Sequence, residues 1–168
     1  MAEQISKKEA ERQVLLLARR CASLYQSFAE ALVNELGEEK GKALILKAIE
    51  DYGAKSGENV KQKVEESKAP KDVNNYFKHS DLPKLGWVAN TFEDNGKIVK
   101  HIDYCPMAEY WLEEMDPELA RLYCHVDQVK YDTYNPALEF RCVKNVLDGE
   151  QRCVHVFTPQ ETDLTSED

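Results

Sequence analysis

Histidine, aspartate and cysteine alternate near the middle of this sequence, at His101, Asp103 and Cys105. Alternate residues of an extended strand project from one face, so the three side chains could act together. A thiol beside an imidazole and a carboxylate can form a nucleophile and base cluster, or supply metal ligands. For His101 and Asp103 the pattern also fits the wet face of an edge strand. Cys105, followed by Pro106, ends the strand, where sites are often found.

A second group of reactive side chains lies in the segment from Pro117 to about Tyr131, which has helical periodicity. The segment carries an apolar core stripe and, on nearly the opposite side, a second stripe of mixed character. Cys124 and Asp127 lie on this second stripe, three residues apart and therefore close on a helix. A thiol and a carboxylate on a helix face indicate a semi-buried polar pocket. The alternative is simple packing of the thiol with a solvated carboxylate. His125 points away from this stripe and is expected at the surface.

A third group follows the residue pair Asp148-Gly149, which is typical of a two-residue hairpin turn. Such a turn sets Cys142 opposite His155 on one face of the hairpin, and places Cys153 on the same face, opposite Lys144. These side chains could line a site. They could equally be core residues, with His155 hydrogen-bonded inside the protein.

The elements that must position these residues begin with two long helices. A capping box at Ser6 and Glu9 opens the first, which ends before Gly37. The second runs from Glu38 to about Ser67 and is closed by Pro70. The predicted core stripe of the first helix consists of Ala10, Val14, Leu17, Cys21, Leu24, Phe28, Leu32 and Leu36.

Two hairpins and further helices complete the predicted fold. One hairpin turns at Asn95-Gly96 and pairs Asn90 with His101 and Val88 with Asp103; the other turns at Asp148-Gly149. Helices over residues 107–115 and 117–131 lie between them. The order predicts an α+β fold, with an antiparallel four-stranded sheet packed against the long N-terminal helices and the central helical segment. We expect one domain over residues 1–158, with a helical half (1–70) and a sheet and site half (84–158), then a disordered acidic tail (159–168).

Composition limits the classes of function. The chain has 168 residues, 42% hydrophobic and 32% charged, with no apolar run of membrane-spanning length and no secretory signal, so we expect a cytoplasmic protein. Residues 71–168 carry the whole net charge of −9, which disfavours nucleic acid and anionic membranes as partners. Five cysteines in a reducing compartment argue against a disulfide framework. A small molecule is the expected partner, and self-association is left open.

The order and spacing of several short motifs in residues 85–158 resemble the L-2-amino-thiazoline-4-carboxylic acid hydrolase family, and the pattern of the helical N-terminal half resembles it more loosely. The motifs are Tyr104-Cys105-Pro106, Cys124 with Asp127, Asn135-Pro136, and the run from Asp148 to Phe157, DGEQRCVHVF, which contains Cys153. The resemblance implies ring-opening hydrolysis of a cyclic, amidine-like thiazoline to an N-carbamoyl cysteine. We assign Cys124 or Cys105 as nucleophile or metal ligand, and Asp127 as the base or as the group that orients it. Contacts to substrate are assigned to Asn135, Tyr104, Cys153 and His155.

A different interpretation uses the same residues without catalysis. Cys105, Cys124, Asp127 and Cys153 are four potential ligands, and zinc bound there would make the chain a non-catalytic, ligand-binding or sensor module. The sequence contains no CxxC pair, which counts against zinc. No cofactor is assigned from the sequence, and the metal content is left open, with zinc as the candidate. A carboxylate substrate would need a cation; Lys144, Arg141 and Arg121 are the candidates.

Overall fold

A computed structural model describes residues 5–80 and 82–159. The acidic tail predicted to be disordered lies outside this range, apart from Pro159 at its start. The helices are α1 (Lys7–Leu36), α2 (Glu38–Glu66), α3 (Val73–His79), α4 (Pro106–Glu114), α5 (Pro117–Tyr123) and α6 (His125–Tyr134). The strands are β1 (Val88–Asp94), β2 (Lys97–Tyr104), β3 (Leu138–Lys144) and β4 (Cys153–Pro159). The predicted α+β class is confirmed.

The two long helices begin and end close to where the sequence places them. Ser6 caps α1, because its hydroxyl accepts the backbone N–H of Glu9 at 3.1 Å. Gly37 ends α1 at a φ of +80°, a backbone conformation that L side chains rarely adopt. α2 continues through Gly53 and Gly57, whose missing side chains allow α6 to pack closely against it. α3 was not predicted; seven residues contain too little periodicity to reveal it.

The four strands form one antiparallel sheet in the order β1-β2-β4-β3. The turn at Asn95-Gly96 is confirmed, with positive φ at both residues. Asn90 pairs with His101 as expected. Val88, however, pairs with Tyr104 rather than with Asp103, because a register shift after Val88 displaces the end of the hairpin.

The second hairpin is joined by a longer connection than the sequence predicts. Residues Val146–Asp148 form a short 3₁₀ helix, and Gly149 follows in the left-handed conformation, so Asp148-Gly149 is not a two-residue turn. The register further along is nevertheless as predicted: Cys142 pairs with His155. Beyond that pair the register shifts, and Lys144 lies opposite Val154 instead of Cys153.

The helical segment after Pro117 is broken, whereas the sequence predicts one helix. The break is at Cys124, whose N–H is bonded to the carbonyl of Arg121 at 3.1 Å, a one-turn closure that separates α5 from α6. α6 packs against both α2 and β3. Both predicted stripes are therefore covered: Val126 is 5% exposed on one of them and Tyr131 is 3% exposed on the other.

The predicted core stripe of α1 is wrong in its middle part by about one residue around the helix, whereas Leu32 of the same stripe packs against the core as predicted. The buried positions are Ala18, Ala22 and Ala29. Leu17, Leu24 and Phe28, by contrast, are 62%, 59% and 64% exposed, and Cys21 is also exposed. The alanine face lets α1 lie close to α2 and α4, which a row of leucines would prevent. No helix within residues 5–80 and 82–159 is long and apolar enough to cross a membrane.

Candidate functional site

A cavity of about 360 Å³ has the character of a ligand site. The inner face of the sheet forms one wall, and α6 and α4 form the opposite wall. Residues 82–87 and the aromatic ring of Phe77 close one side. The volume lies within the range of small-molecule sites, and such sites are usually apolar with a few polar groups, as here. Its aromatic lining residues include Trp87, Trp111 and Tyr123.

The sheet wall carries Lys100, Ile102, Cys153 and His155. Their shared face follows from the register of β2 and β4, in which Lys100 pairs with His155 and Ile102 with Cys153. Because directly paired residues point to the same side of a sheet, an ammonium group and an imidazole lie next to each other on the cavity wall. The β2–β4 pairing joins strands about fifty residues apart and could not be read from either hairpin alone.

Lys100 brings a cation into the cavity. Its Nζ lies 4.8 Å from the centre of the Phe77 ring, and among residues 5–80 and 82–159 it forms no ion pair within 4.0 Å. Burial lowers the pKa of Lys100, and the nearby carboxylate of Asp127 opposes that change. An ammonium group held in a partly apolar wall, near a carboxylate but not in direct contact with it, is suited to receive an anionic group of a ligand.

The α6 wall carries Asp127 and Lys130. The Nζ of Lys130 lies 3.5 Å from Oδ1 of Asp127, and the Lys130 residue is only 5% exposed. The Asp127 side chain keeps 26% of its surface exposed, so its carboxylate can be reached from the cavity. A buried lysine paired with this carboxylate fixes the position of Asp127.

His155 is buried at 5% exposure, with its ring edge against Phe140 at 5.1 Å between ring centres. Its Nδ1 has no hydrogen-bond partner within residues 5–80 and 82–159. Burial lowers the pKa of His155, with Asp127 acting in the opposite direction, so the imidazole is neutral at neutral pH. A buried nitrogen without a partner is uncommon and is a natural contact for a ligand atom or a water molecule.

Cys105, Cys124 and Cys153 also line the cavity. Burial raises the pKa of Cys124 to about 12, with a further contribution from Asp127, and raises that of Cys153 to about 11. Burial likewise raises the pKa of Cys105, although the N–H groups at the start of α4 and the side chain of Trp87 oppose the change. The three thiols are therefore protonated at neutral pH.

Asn145 holds the sulfur-lined end of the cavity in place. It is 2% exposed; its carbonyl oxygen accepts the N–H of Leu147 at 2.9 Å, and its amide lies 3.8 Å from the sulfur of Cys142. The same amide lies beside Cys124 and lowers the pKa of that thiol, in opposition to burial. Asn145 therefore links the connection between β3 and β4 to the break between α5 and α6.

The proposed zinc ligands do not form a metal site. Within residues 5–80 and 82–159, no three His, Cys, Asp or Glu side chains are grouped so that they could hold a metal ion. The set Cys105, Cys124, Asp127 and Cys153 lines one cavity without converging on one point. A tetrahedral zinc site needs such convergence, so these residues do not fit zinc.

Two residues expected to contact substrate lie outside the cavity lining. Asn135 ends α6: its amide donates to the carbonyl of Lys71 at 2.7 Å, and its carbonyl oxygen accepts the N–H of Ala137 at 3.0 Å. Tyr104 donates its hydroxyl to Glu109 at 2.9 Å. Both side chains are used to hold the fold.

The alternating residues His101, Asp103 and Cys105 do not act together, because only Cys105 lies on the cavity side of the sheet. Asp103 forms an ion pair with Arg152 at 3.1 Å, and His101 lies 3.2 Å from the same guanidinium group. Neither residue lines the cavity, whereas Cys105 does, because the chain leaves the strand after Tyr104 and enters α4. For His101 and Asp103 the polar outer face is the correct interpretation, but β2 is an inner strand between β1 and β4 and not the edge strand that was expected.

The cations considered from sequence are also engaged elsewhere. Arg121, Arg141 and Lys144 pair with Asp148, Glu139 and Glu150, respectively. Lys100, Lys130 and Asn145 were missed because lysine and asparagine are usually surface residues. The sequence did indicate that Lys130 could pair with Asp127, because the two residues are three positions apart on one helix.

Comparison with known families identifies the family of this chain. A family profile described as L-2-amino-thiazoline-4-carboxylic acid hydrolase matches residues 17–157. The chain belongs to this family. The match includes every helix and strand that contributes to the cavity, and it also covers most of α1 and all of α2, where the sequence resembles the family only loosely. Searches of curated proteins and of solved structures returned no match.

Proposed function

We propose that the cavity is the active site of a hydrolase that opens the ring of a small 2-amino-thiazoline-4-carboxylate. The observation that carries this proposal is the combination, in a member of this family, of Asp127, Lys100 and a neutral His155 around one cavity. A carboxylate can act as a general base, and an unpaired ammonium group can hold an acidic substrate.

Lys100 supplies the cation that the substrate's carboxylate requires. The chain has a net charge of −9, so an anionic ligand is repelled unless the site contains local positive charge. Lys130 is already paired with Asp127 at 3.5 Å, which leaves Lys100 to receive the ligand. His155, paired with Lys100 across the strands, lies next to this position and has an unused nitrogen.

The raised thiol pKa values favour water over cysteine as the nucleophile. With a pKa of about 12, only about one Cys124 side chain in 10⁵ is a thiolate at pH 7. We propose that Asp127 instead takes a proton from a water molecule attacking C2 of the ring. The C2–S bond then breaks. The two protons of water end on the ring nitrogen and on the departing sulfur, giving an N-carbamoyl cysteine. Cys124 and Cys105 line the site as neutral thiols.

Turnover of L-2-amino-thiazoline-4-carboxylate, followed by mass spectrometry of the product, tests the function. Asp127→Asn should lower kcat/KM at least about a hundredfold, the scale of a lost general base. Asp132→Asn is the matched control: Asp132 lies on the same helix but accepts from Gln128 at 3.0 Å outside the cavity. Equal losses in both variants would contradict the role of Asp127. Tight binding without turnover by the wild type would instead support the non-catalytic module.

The carboxylate contact is tested separately. Lys100→Met should raise KM about tenfold or more with a smaller effect on kcat, because a ground-state contact is lost. Lys144→Met, which removes an exposed ion pair with Glu150, serves as the control. If the two variants behave alike, Lys100 does not bind substrate.

Replacement of Cys124 distinguishes the two nucleophiles. Under the water mechanism Cys124→Ser should keep activity within about tenfold, whereas a covalent thiolate mechanism loses several orders of magnitude. Cys21→Ser, at an exposed position on α1, controls for thiol loss in general. A covalent adduct on Cys124 during turnover would refute water as the nucleophile.

A further inference from the structure

Helix α1 exposes a row of apolar side chains, here named the α1 stripe: Leu17, Cys21, Leu24 and Phe28. The leucines are 62% and 59% exposed, Phe28 is 64% exposed, and Cys21 is also exposed. The spacing of four, three and four residues is that of a coiled-coil seam. The helix uses a different face, made of alanines, to pack against its own chain. The α1 stripe is therefore not packed against any other part of the same chain that the structure describes.

The α1 stripe is complementary to itself when two helices run antiparallel. A two-fold axis through its midpoint, between positions 22 and 23, places Leu17 opposite Phe28 of a second copy and Cys21 opposite Leu24. Every large side chain then meets a partner of the stripe, as a two-fold interface requires. The stripe extends over about two heptads, so the contact is a short one.

The charges along α1 favour the same orientation. Residues 7–20 contain five Lys or Arg and two Glu, whereas residues 21–36 contain two Glu and no Lys or Arg. Glu38 and Glu39, just beyond, extend the acidic end. An antiparallel pair sets the basic half of each helix beside the acidic half of the other. A parallel pair would set like charges together, which is unfavourable.

We propose that the α1 stripe is the interface of a homodimer in which two copies of α1 pack antiparallel. The occupant of this exposed face is thus a second copy of the chain. Because the apolar contact is short, the dimer should dissociate on dilution. The proposal is independent of the chemistry of the cavity.

Sedimentation equilibrium of the full chain over about 1 to 200 µM tests the proposal. The wild type should move from the mass of one chain, 19.3 kDa, to twice that value. Leu24→Glu should raise the dissociation constant at least tenfold, because each dimer would contain the buried charge twice. Val143→Glu is the control, since Val143 is a similarly exposed apolar residue (54%) on β3. A wild type that stays monomeric throughout, or a control that dissociates as readily as Leu24→Glu, would overturn the proposal.

Folding and orientation are checked with further variants. Circular dichroism should show Leu24→Glu folded, because the side chain lies outside the core; Phe28→Gln gives a milder second test if it is not. In a Cys21→Ser background, a mixture of Leu17→Cys and Phe28→Cys chains should form a disulfide between the two kinds of chain on oxidation. Disulfides that form within each kind alone would indicate parallel helices and refute the antiparallel arrangement.

Discussion

Replacing Gly57 with alanine tests the close packing that positions the α6 wall of the cavity. A Cβ atom at Gly57 would lie 2.5 Å from the carbonyl oxygen of Lys130 and 2.9 Å from Cβ of Thr133. Ordinary contact begins near 3.4 Å, so α6 must move by about 0.9 Å or α2 must bend. The clash is with backbone, which cannot rotate away.

Two opposing free energies decide the outcome of Gly57→Ala. Helix propensity alone favours alanine by roughly 1 kcal/mol. Overpacking of a closed interface costs about 1–3 kcal/mol, more when backbone is the obstacle. We expect a net loss of about 1–2 kcal/mol, which lowers Tm by roughly 2–8 °C for a chain of this size.

Thermal unfolding monitored by circular dichroism tests this expectation, because the change in Tm relative to the wild type should be negative. Gly53→Ala provides the comparison, since its Cβ would lie 3.0 Å from the carbonyl oxygen of Val126 and should cost less. Displacement of α6 also moves Asp127, so Gly57→Ala should lower turnover of the proposed substrate. A higher Tm for Gly57→Ala would show that helix propensity dominates and that α2 and α6 are not tightly packed.

Three further predictions concern individual side chains. Because burial lowers the pKa of His155, its imidazole takes up a proton on unfolding at mildly acidic pH. The free energy of unfolding should therefore fall as pH drops below about 6.5, by up to ~1.4 kcal/mol per pH unit. Denaturant titrations at several pH values should show that this free energy depends less steeply on pH in His155→Gln than in the wild type. At a protein concentration low enough to keep the chain monomeric, iodoacetamide at pH 8 should alkylate exposed Cys21 at least about a hundredfold faster than Cys124, as peptide mapping would reveal. Equal rates would contradict the raised pKa of Cys124. Asn145→Ala leaves the buried N–H of Leu147 without its acceptor. Urea unfolding should show a loss of about 1–3 kcal/mol in the free energy of unfolding. A loss under about 0.5 kcal/mol would contradict the stabilising role of Asn145.

The local elements of the fold were determined by the sequence, because each depends on neighbouring residues. The capping residue Ser6, the helix end at Gly37 and the turn at Asn95-Gly96 all act within a few positions along the chain. The pairing of Cys142 with His155 was also predicted, although the turn that suggested it proved to be a longer connection. The family, too, could be recognised from short motifs.

The cavity required the tertiary structure, because its walls come from elements distant in the chain. Lys100 faces Asp127 only because β2 pairs with β4 and α6 lies across them, and neither contact has a local sequence pattern. The exposed face of α1 is a similar case. Periodicity identifies Leu17 and Leu24 as one stripe, but the packing partner decides which stripe is buried, and closely packed helices select alanine there.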